Sequence, residues 1–194
     1  MNNRYEAKYI QRLLDHEEWV RKADQLLESA ALFQLKIKET WEKWREGKAQ
    51  SDHFIAGYFM FSSFALENLF KAIIILRDRK IIEKSLNNRC GLPKKIGKHN
   101  LYDLAKECGF RHLDAGDEEL LKKLSRSATW YGRYPVPIMP DKFKTDFISE
   151  LDKEPISTSS YSSDDEDDIQ RWILRARERL AELAQYEHTT NSSC

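Results

Sequence analysis

The chain has 194 residues, of which 41% are apolar and 33% charged, and it carries no net charge. That length suffices for one domain with its own core, and that composition argues against a disordered or membrane-embedded chain. Three cysteines without a C-x-x-C pair argue against a disulfide framework and a zinc site, so a reducing, cytoplasmic setting is expected.

The N-terminus (MNNRYEAKYIQRLL) holds no charged region followed by an apolar run, so no signal peptide is expected. Tyr5, Tyr9 and Leu13 sit four apart and predict a short first helix. Asp15 with Glu18 three residues on resembles a capping box. Trp19, Ala23, Leu26, Ala30, Phe33, Ile37, Trp41 and Trp44 then mark one face of a long helix, roughly eight turns at ~3.6 residues per turn, until Gly47 stops it. Its tryptophans are expected in core or dimer contacts rather than around a cofactor.

The segment EGKAQSD makes the next turn, with Ser51 or Asp52 as N-cap of a central helix. Phe54, Tyr58, Phe61, Ala65, Leu69, Ala72 and Leu76 recur at helical steps, and Ile55, Phe59, Leu66, Phe70, Ile73 and Ile74 fill the flanks. A helix apolar on every side belongs at the centre of a bundle, here as one arm of an antiparallel hairpin. Asp52, Glu67, Asn68, Lys71 and Arg77 interrupt or bound it, so it is not read as a membrane span. Glu67 and Lys71 are placed to pair with each other, four apart in the favourable order.

Ile81, Ile82 and Leu86 can extend this helix, and NNRCGLPKKIGK follows as an exposed basic loop. Arg77 to Lys98 holds eight bases against two acids, whereas Asp141 to Glu187 holds thirteen acids against seven bases. This asymmetry suits an anionic partner at the first region and a basic one at the second, or simply two solvated faces. Asn100 caps a short third helix that Gly109 ends. A fourth helix, capped by Asp117, runs through Leu120, Leu121, Leu124, Ala128 and Tyr131 to Gly132. Pro135, Pro137 and Pro140 keep the next segment extended, before a short helix through Phe143, Phe147 and Leu151. The last helix carries Ile169, Trp172, Ile173, Ala176, Leu180 and Leu183 on one face and Arg171, Arg175 and Arg179 on another.

The expected architecture is therefore all-α. An antiparallel bundle of four to six helices covers 1–151, and a serine-rich acidic linker, expected to be disordered, covers 152–167. An amphipathic helix over 168–187 packs on the bundle or on a partner.

No glycine-rich phosphate loop, H-E-x-x-H, G-x-S-x-G or histidine–cysteine set at metal spacing is present, so neither metal nor cofactor is expected. His99, standing alone before a helix, is expected to be a cap or a surface residue. Two places remain for chemistry. One is the Glu67, Asn68, Lys71 group, because charges on an apolar helix need partners. The other is RSATWYGRYP, from Arg126 to Pro135, where arginines can fork onto phosphate and aromatics can stack on bases. Equally, those arginines can cap helix carbonyls and the tyrosines can close a core.

Taken in order, ALENLFKAIII, KHNLYDLAK and WYGRYP resemble the HEPN (higher eukaryotes and prokaryotes nucleotide-binding) family from Tyr58 to Pro135. The resemblance implies an antiparallel helical bundle, often a homodimer with its site in a cleft near the dimer interface. It also implies a group that includes RNA-cutting toxins, phage-defence proteins and nucleotide-binding modules, some with an antitoxin or nucleotidyltransferase partner. RNA-cutting members carry an arginine followed four to six residues later by histidine. Here Tyr131 stands in that place after Arg126, and no histidine follows Arg133 until His188. The expectation is thus a domain that binds a nucleotide, RNA or a protein partner without strong catalysis, with Asn68, Lys71, Arg126, Arg133 and Tyr134 lining its cleft. The alternatives are a metal-independent endoribonuclease using Arg126 with Tyr131 or Arg133 with Tyr134, and a purely structural interaction subunit.

Overall fold

A computed structural model describes residues 3–48, 53–86, 93–128 and 163–191. Among these residues there are six helices and no strand: α1 (Asn3–Leu14), α2 (His16–Arg45), α3 (His53–Leu86), α4 (Leu101–Glu107), α5 (Ala115–Arg126) and α6 (Ser163–Asn191). The all-α reading holds. The Ser51/Asp52 cap, the run from Tyr131 through the prolines, the helix through Phe143 and most of the 152–167 linker lie outside the described residues.

The axis of the bundle is α3, where Leu66, Leu69, Phe70, Ala72, Ile73, Ile74 and Ile75 are fully buried. Each large apolar side chain so buried contributes ~1.5–3 kcal/mol, which is why an all-round apolar helix takes the centre. It is the one described helix long and apolar enough to cross a membrane, and 78% of its most apolar window is buried inside the bundle. Burial also pushes the Tyr58 phenol up to about 12, so the ring stays neutral within this core.

Helix α2 lies antiparallel to α3: Trp19, near its start, meets Lys71, and Phe33, further on, stacks on Phe61 at 5.4 Å. Ala23, Ala30 and Ile37 are buried as the periodicity predicts, whereas Trp41 is half-exposed. Phe33 already reaches Phe54, in the first turn of α3, so Trp41 lies beyond the point where α3 can cover it. Gly47 ends α2 with a positive φ of 75°, and Lys48 N donates to the Lys43 carbonyl at 3.1 Å.

The start of α2 departs from the predicted capping box. Asp15 does cap, its Oδ1 accepting from Glu17 N at 3.1 Å, but Glu18 turns to Arg21 at 2.8 Å. Asn100 and Gly109 cap α4 as expected. At α5 the cap is Asp114, whose Oδ1 accepts from Asp117 N at 2.8 Å, not Asp117 itself. Asp117 is buried instead, because α6 supplies better partners: Trp172 Nε1 donates to it at 3.0 Å, and Arg175 and Arg171 approach at 3.4 and 3.5 Å. Trp172 also meets Phe70 and Phe110 edge-on, so α6 packs on the bundle.

The last helix, α6, begins in the acids, as expected from their fit to a helix N-terminus, but it starts at Ser163, inside the 152–167 segment expected as linker. Asp164, Asp165 and Glu166 occupy its first turn, where carboxylates suit the positive end of the helix dipole. Lys123 of α5 pairs with Asp165 at 2.9 Å and Lys38 of α2 with Glu166 at 3.3 Å, which anchors that turn.

A kink at Asp78 (φ −107°, ψ 17°) bends the last part of α3. Arg77 donates to Asp78 and to the Glu107 carbonyl that ends α4, and Lys95 reaches both Asp78 and Glu107. The lysines of the basic loop that the structure describes are thus partly spent on internal acids.

Candidate functional site

Glu67, Asn68 and Lys71 form one polar face on the otherwise apolar α3, since residues three and four apart are neighbours on a helix. Glu67 and Lys71 are 8% and 3% exposed, and Lys71 Nζ donates to Glu67 Oε1 at 2.6 Å. The same oxygen lies 3.0 Å from His99 Nδ1, whose side chain is largely exposed. A carboxylate only accepts, so Nδ1 is the donor in this contact. Lys71 Nζ also sits 5.8 Å from the centre of the Trp19 ring, and Trp19 Nε1 donates to the Leu13 carbonyl at 3.0 Å. Asn68 Nδ2 donates to the Phe64 carbonyl one turn back, at 2.6 Å.

Asn68 opens into a cleft of about 810 Å³ between α1 and α2. One wall is α1, with Tyr5, Lys8, Tyr9 and Arg12; the other is α2, with Glu18, Trp19, Arg21 and Lys22. Four cations therefore face one carboxylate. Glu18 binds Arg21 at 2.8 Å and Arg12 at 3.5 Å, while Lys8 and Lys22 have no carboxylate partner among the described residues. Tyr5 and Tyr9 are exposed, 82% and 44%. The spacing of Tyr5, Tyr9 and Leu13 predicts the helix, and of the three only Leu13 is buried, where with Ile10 and Leu14 it completes the contact with the core.

Of the predicted ligand residues the structure brings Asn68 to this cleft; Lys71 is buried behind Trp19 and does not line it. The charge of Lys71 is met by Glu67 beneath the surface. Arg126 is half-buried in the last turn of α5 and does not line the cleft. Its neighbour Ser125 accepts from Leu101 N at 2.8 Å, which ties the end of α5 to the start of α4 just after His99. Tyr131, Arg133 and Tyr134 lie outside the described residues.

Sequence reasoning misses Lys8, Arg12 and Lys22, and it expects His99 as a cap or surface residue, which the exposed side chain matches. A signal for the first two exists: Tyr5, Lys8, Tyr9 and Arg12 interlock at steps of three and four, so they share one face of α1. No local signal pairs His99 with Glu67, 32 residues away. Cys108 is buried, with Sγ donating to the Phe70 carbonyl at 3.2 Å, and burial pushes its thiol well up. Among the described residues no three histidine, cysteine or acidic side chains converge as a metal site. No family model, curated protein or solved structure matches the chain.

Proposed function

We propose that this is a HEPN-like helical module that binds a phosphate-bearing ligand, an RNA or a nucleotide, at the cleft between α1, α2 and α3. The supporting observation is the charge of that cleft: Lys8, Arg12, Arg21 and Lys22 against Glu18 alone. Clustered cations in a concave site raise the local concentration of anions, and arginine forks match phosphate oxygens. Asn68 adds a polar group at the floor, as the family resemblance leads one to expect.

The test is fluorescence anisotropy with a labelled, unstructured RNA and with ATP, on the wild type and on Lys8→Ala/Lys22→Ala. The reading expects binding that the double variant weakens at least tenfold. Equal affinity in the two proteins, or no binding of either probe, overturns it.

A second reading adds RNA cleavage to binding, and one observation favours it. Glu67 Oε1 orients the largely exposed His99 ring through Nδ1 at 3.0 Å, and a carboxylate-oriented histidine at a surface is a residue type that serves as general acid or base. The outcome that supports it is strand scission lost in His99→Ala; an intact RNA after prolonged incubation with wild type removes it. Self-association through the first two helices is supported by Leu32, Leu35 and Trp41, which are exposed on α2. A mass in solution that stays monomeric at high protein concentration counts against that.

A further inference from the structure

The charge of the cleft says that an anion belongs there; its aromatic side chains say more. Tyr5 and Tyr9 are four apart on α1, so the rings follow one another along the helix by about 6 Å at ~1.5 Å per residue. Lys8 and Arg12 form a second row beside them with the same step. The opposite wall repeats the pattern, with Trp19 beside Lys22 one turn on. Each wall therefore pairs an aromatic row or ring with cations running parallel to the helix axis.

Leu13 and Leu14 are buried, whereas Tyr5 and Tyr9 of the same helix are 82% and 44% exposed. Their phenol groups have no hydrogen-bond partner among the described residues. Helix α1 thus spends its apolar face on the core and turns a tyrosine and cation face to the cleft. That use of the leucines also removes the apolar surface that α1 would need to lie in a lipid interface. An acidic peptide would satisfy the cations but would leave the ring row idle.

We infer that the cleft is a track for single-stranded nucleic acid, in which successive bases stack on Tyr5 and Tyr9 while their phosphates run along Lys8, Arg12 and Lys22. This rests on the proposed phosphate-binding role of the cleft and specifies the form of the ligand. Stacking on aromatic faces tolerates any base, so the track selects strandedness rather than sequence. A duplex keeps its bases stacked on each other and cannot use the rings. A mononucleotide fills one ring position and one phosphate position, leaving the remainder of an 810 Å³ cleft to water.

The experiment compares four probes on the full chain by competition anisotropy: a ten-nucleotide uridine strand, the same length of deoxythymidine strand, an abasic strand of equal charge, and UMP. The track predicts that the RNA strand binds at least a hundredfold more tightly than UMP, and at least tenfold more tightly than the abasic strand. Tyr5→Ala/Tyr9→Ala should weaken the uridine strand at least tenfold and leave the abasic strand unchanged. Both tyrosines are exposed, so the variant keeps the fold, which circular dichroism verifies. The deoxythymidine arm reports whether the sugar is read: equal affinity supports a stacking track common to RNA and DNA, and exclusive DNA binding would overturn the placement of a ribose strand. If UMP or the abasic strand binds as well as the uridine strand, the track is wrong while the phosphate-binding reading survives. If no probe binds, both fail.

Discussion

Asp117→Ala should loosen the joint between α5 and α6. Its carboxylate accepts from Trp172 Nε1 at 3.0 Å in a place where Trp172 is fully buried. Removing the acceptor leaves that N–H unsatisfied, which costs ~1–3 kcal/mol. Arg171 and Arg175 are partly exposed, so each lost pairing adds at most about 0.5 kcal/mol. The first-turn charge at the start of α5 is worth another ~0.3–1 kcal/mol. The sum is about 3 kcal/mol, which for a chain of this size lowers Tm by about 6–12 °C. Asp117→Asn keeps an oxygen for Trp172 and gives up only the charge, so its cost should be near 1 kcal/mol by the same accounting. Urea unfolding followed by circular dichroism measures both. A loss below about 1 kcal/mol for alanine, or equal losses for alanine and asparagine, would refute the assignment of Asp117 as the acceptor that locks Trp172.

Three other outcomes follow from the described geometry. The Asp78 carboxyl is held below its ordinary 3.8, first by the hydrogen bond from Arg77 and then by Lys95. Its contribution is therefore complete above that value and lost as pH falls through the lower folded value, so stability should drop below about pH 4 and Asp78→Asn should flatten the drop in an acid-unfolding series. Gly57→Ala should destabilise despite the ~1 kcal/mol that alanine gains over glycine in a helix, because its Cβ meets three atoms of the Phe33 ring, the farthest 2.8 Å away. A rise in Tm for this variant would mean that Phe33 swings aside. Gly109→Ala should cost about 1 kcal/mol or more, since its φ of +92° is one that a side chain resists, and chemical denaturation reads that directly.

What the sequence made legible follows from how local its causes are. The period of α3, the apolar stripe of α2 as far as Ile37, and the caps Asn100, Gly47 and Gly109 depend on neighbours within a turn, and all were readable. The cap of α5 was misplaced by three residues because Asp114 and Asp117 are chemically equal in sequence; only the docking of Trp172 decides between them. Acids suit a helix N-terminus, so a start of the last helix among them was readable, but the boundary expected at 168 falls after the observed start at Ser163, where Lys123 and Lys38 from other helices anchor the first turn. The candidate site was harder. Its floor residue, Asn68, stood out with Glu67 and Lys71 as polar residues on an apolar helix. Its walls did not, because the spacing of Tyr5 and Tyr9 predicts a helix without saying which face is covered, and their exposure is set by Ile10, Leu13 and Leu14 making the contact with the core. The basic loop drew attention by its charge, yet Lys95 and Lys98 face Glu107.

The central claim, that phosphates of a strand replace counterions at Lys8 and Lys22, is tested most directly by the salt dependence of affinity. Each single-strand phosphate neutralised contributes about −0.7 to the slope of log affinity against log salt. A titration of the uridine strand from low to moderate salt should give a steep negative slope for the wild type. In Lys8→Ala/Lys22→Ala that slope should be shallower by about 1.4, the amount for two lost phosphate contacts. An affinity indifferent to salt, or a slope that the double variant leaves unchanged, would contradict the account.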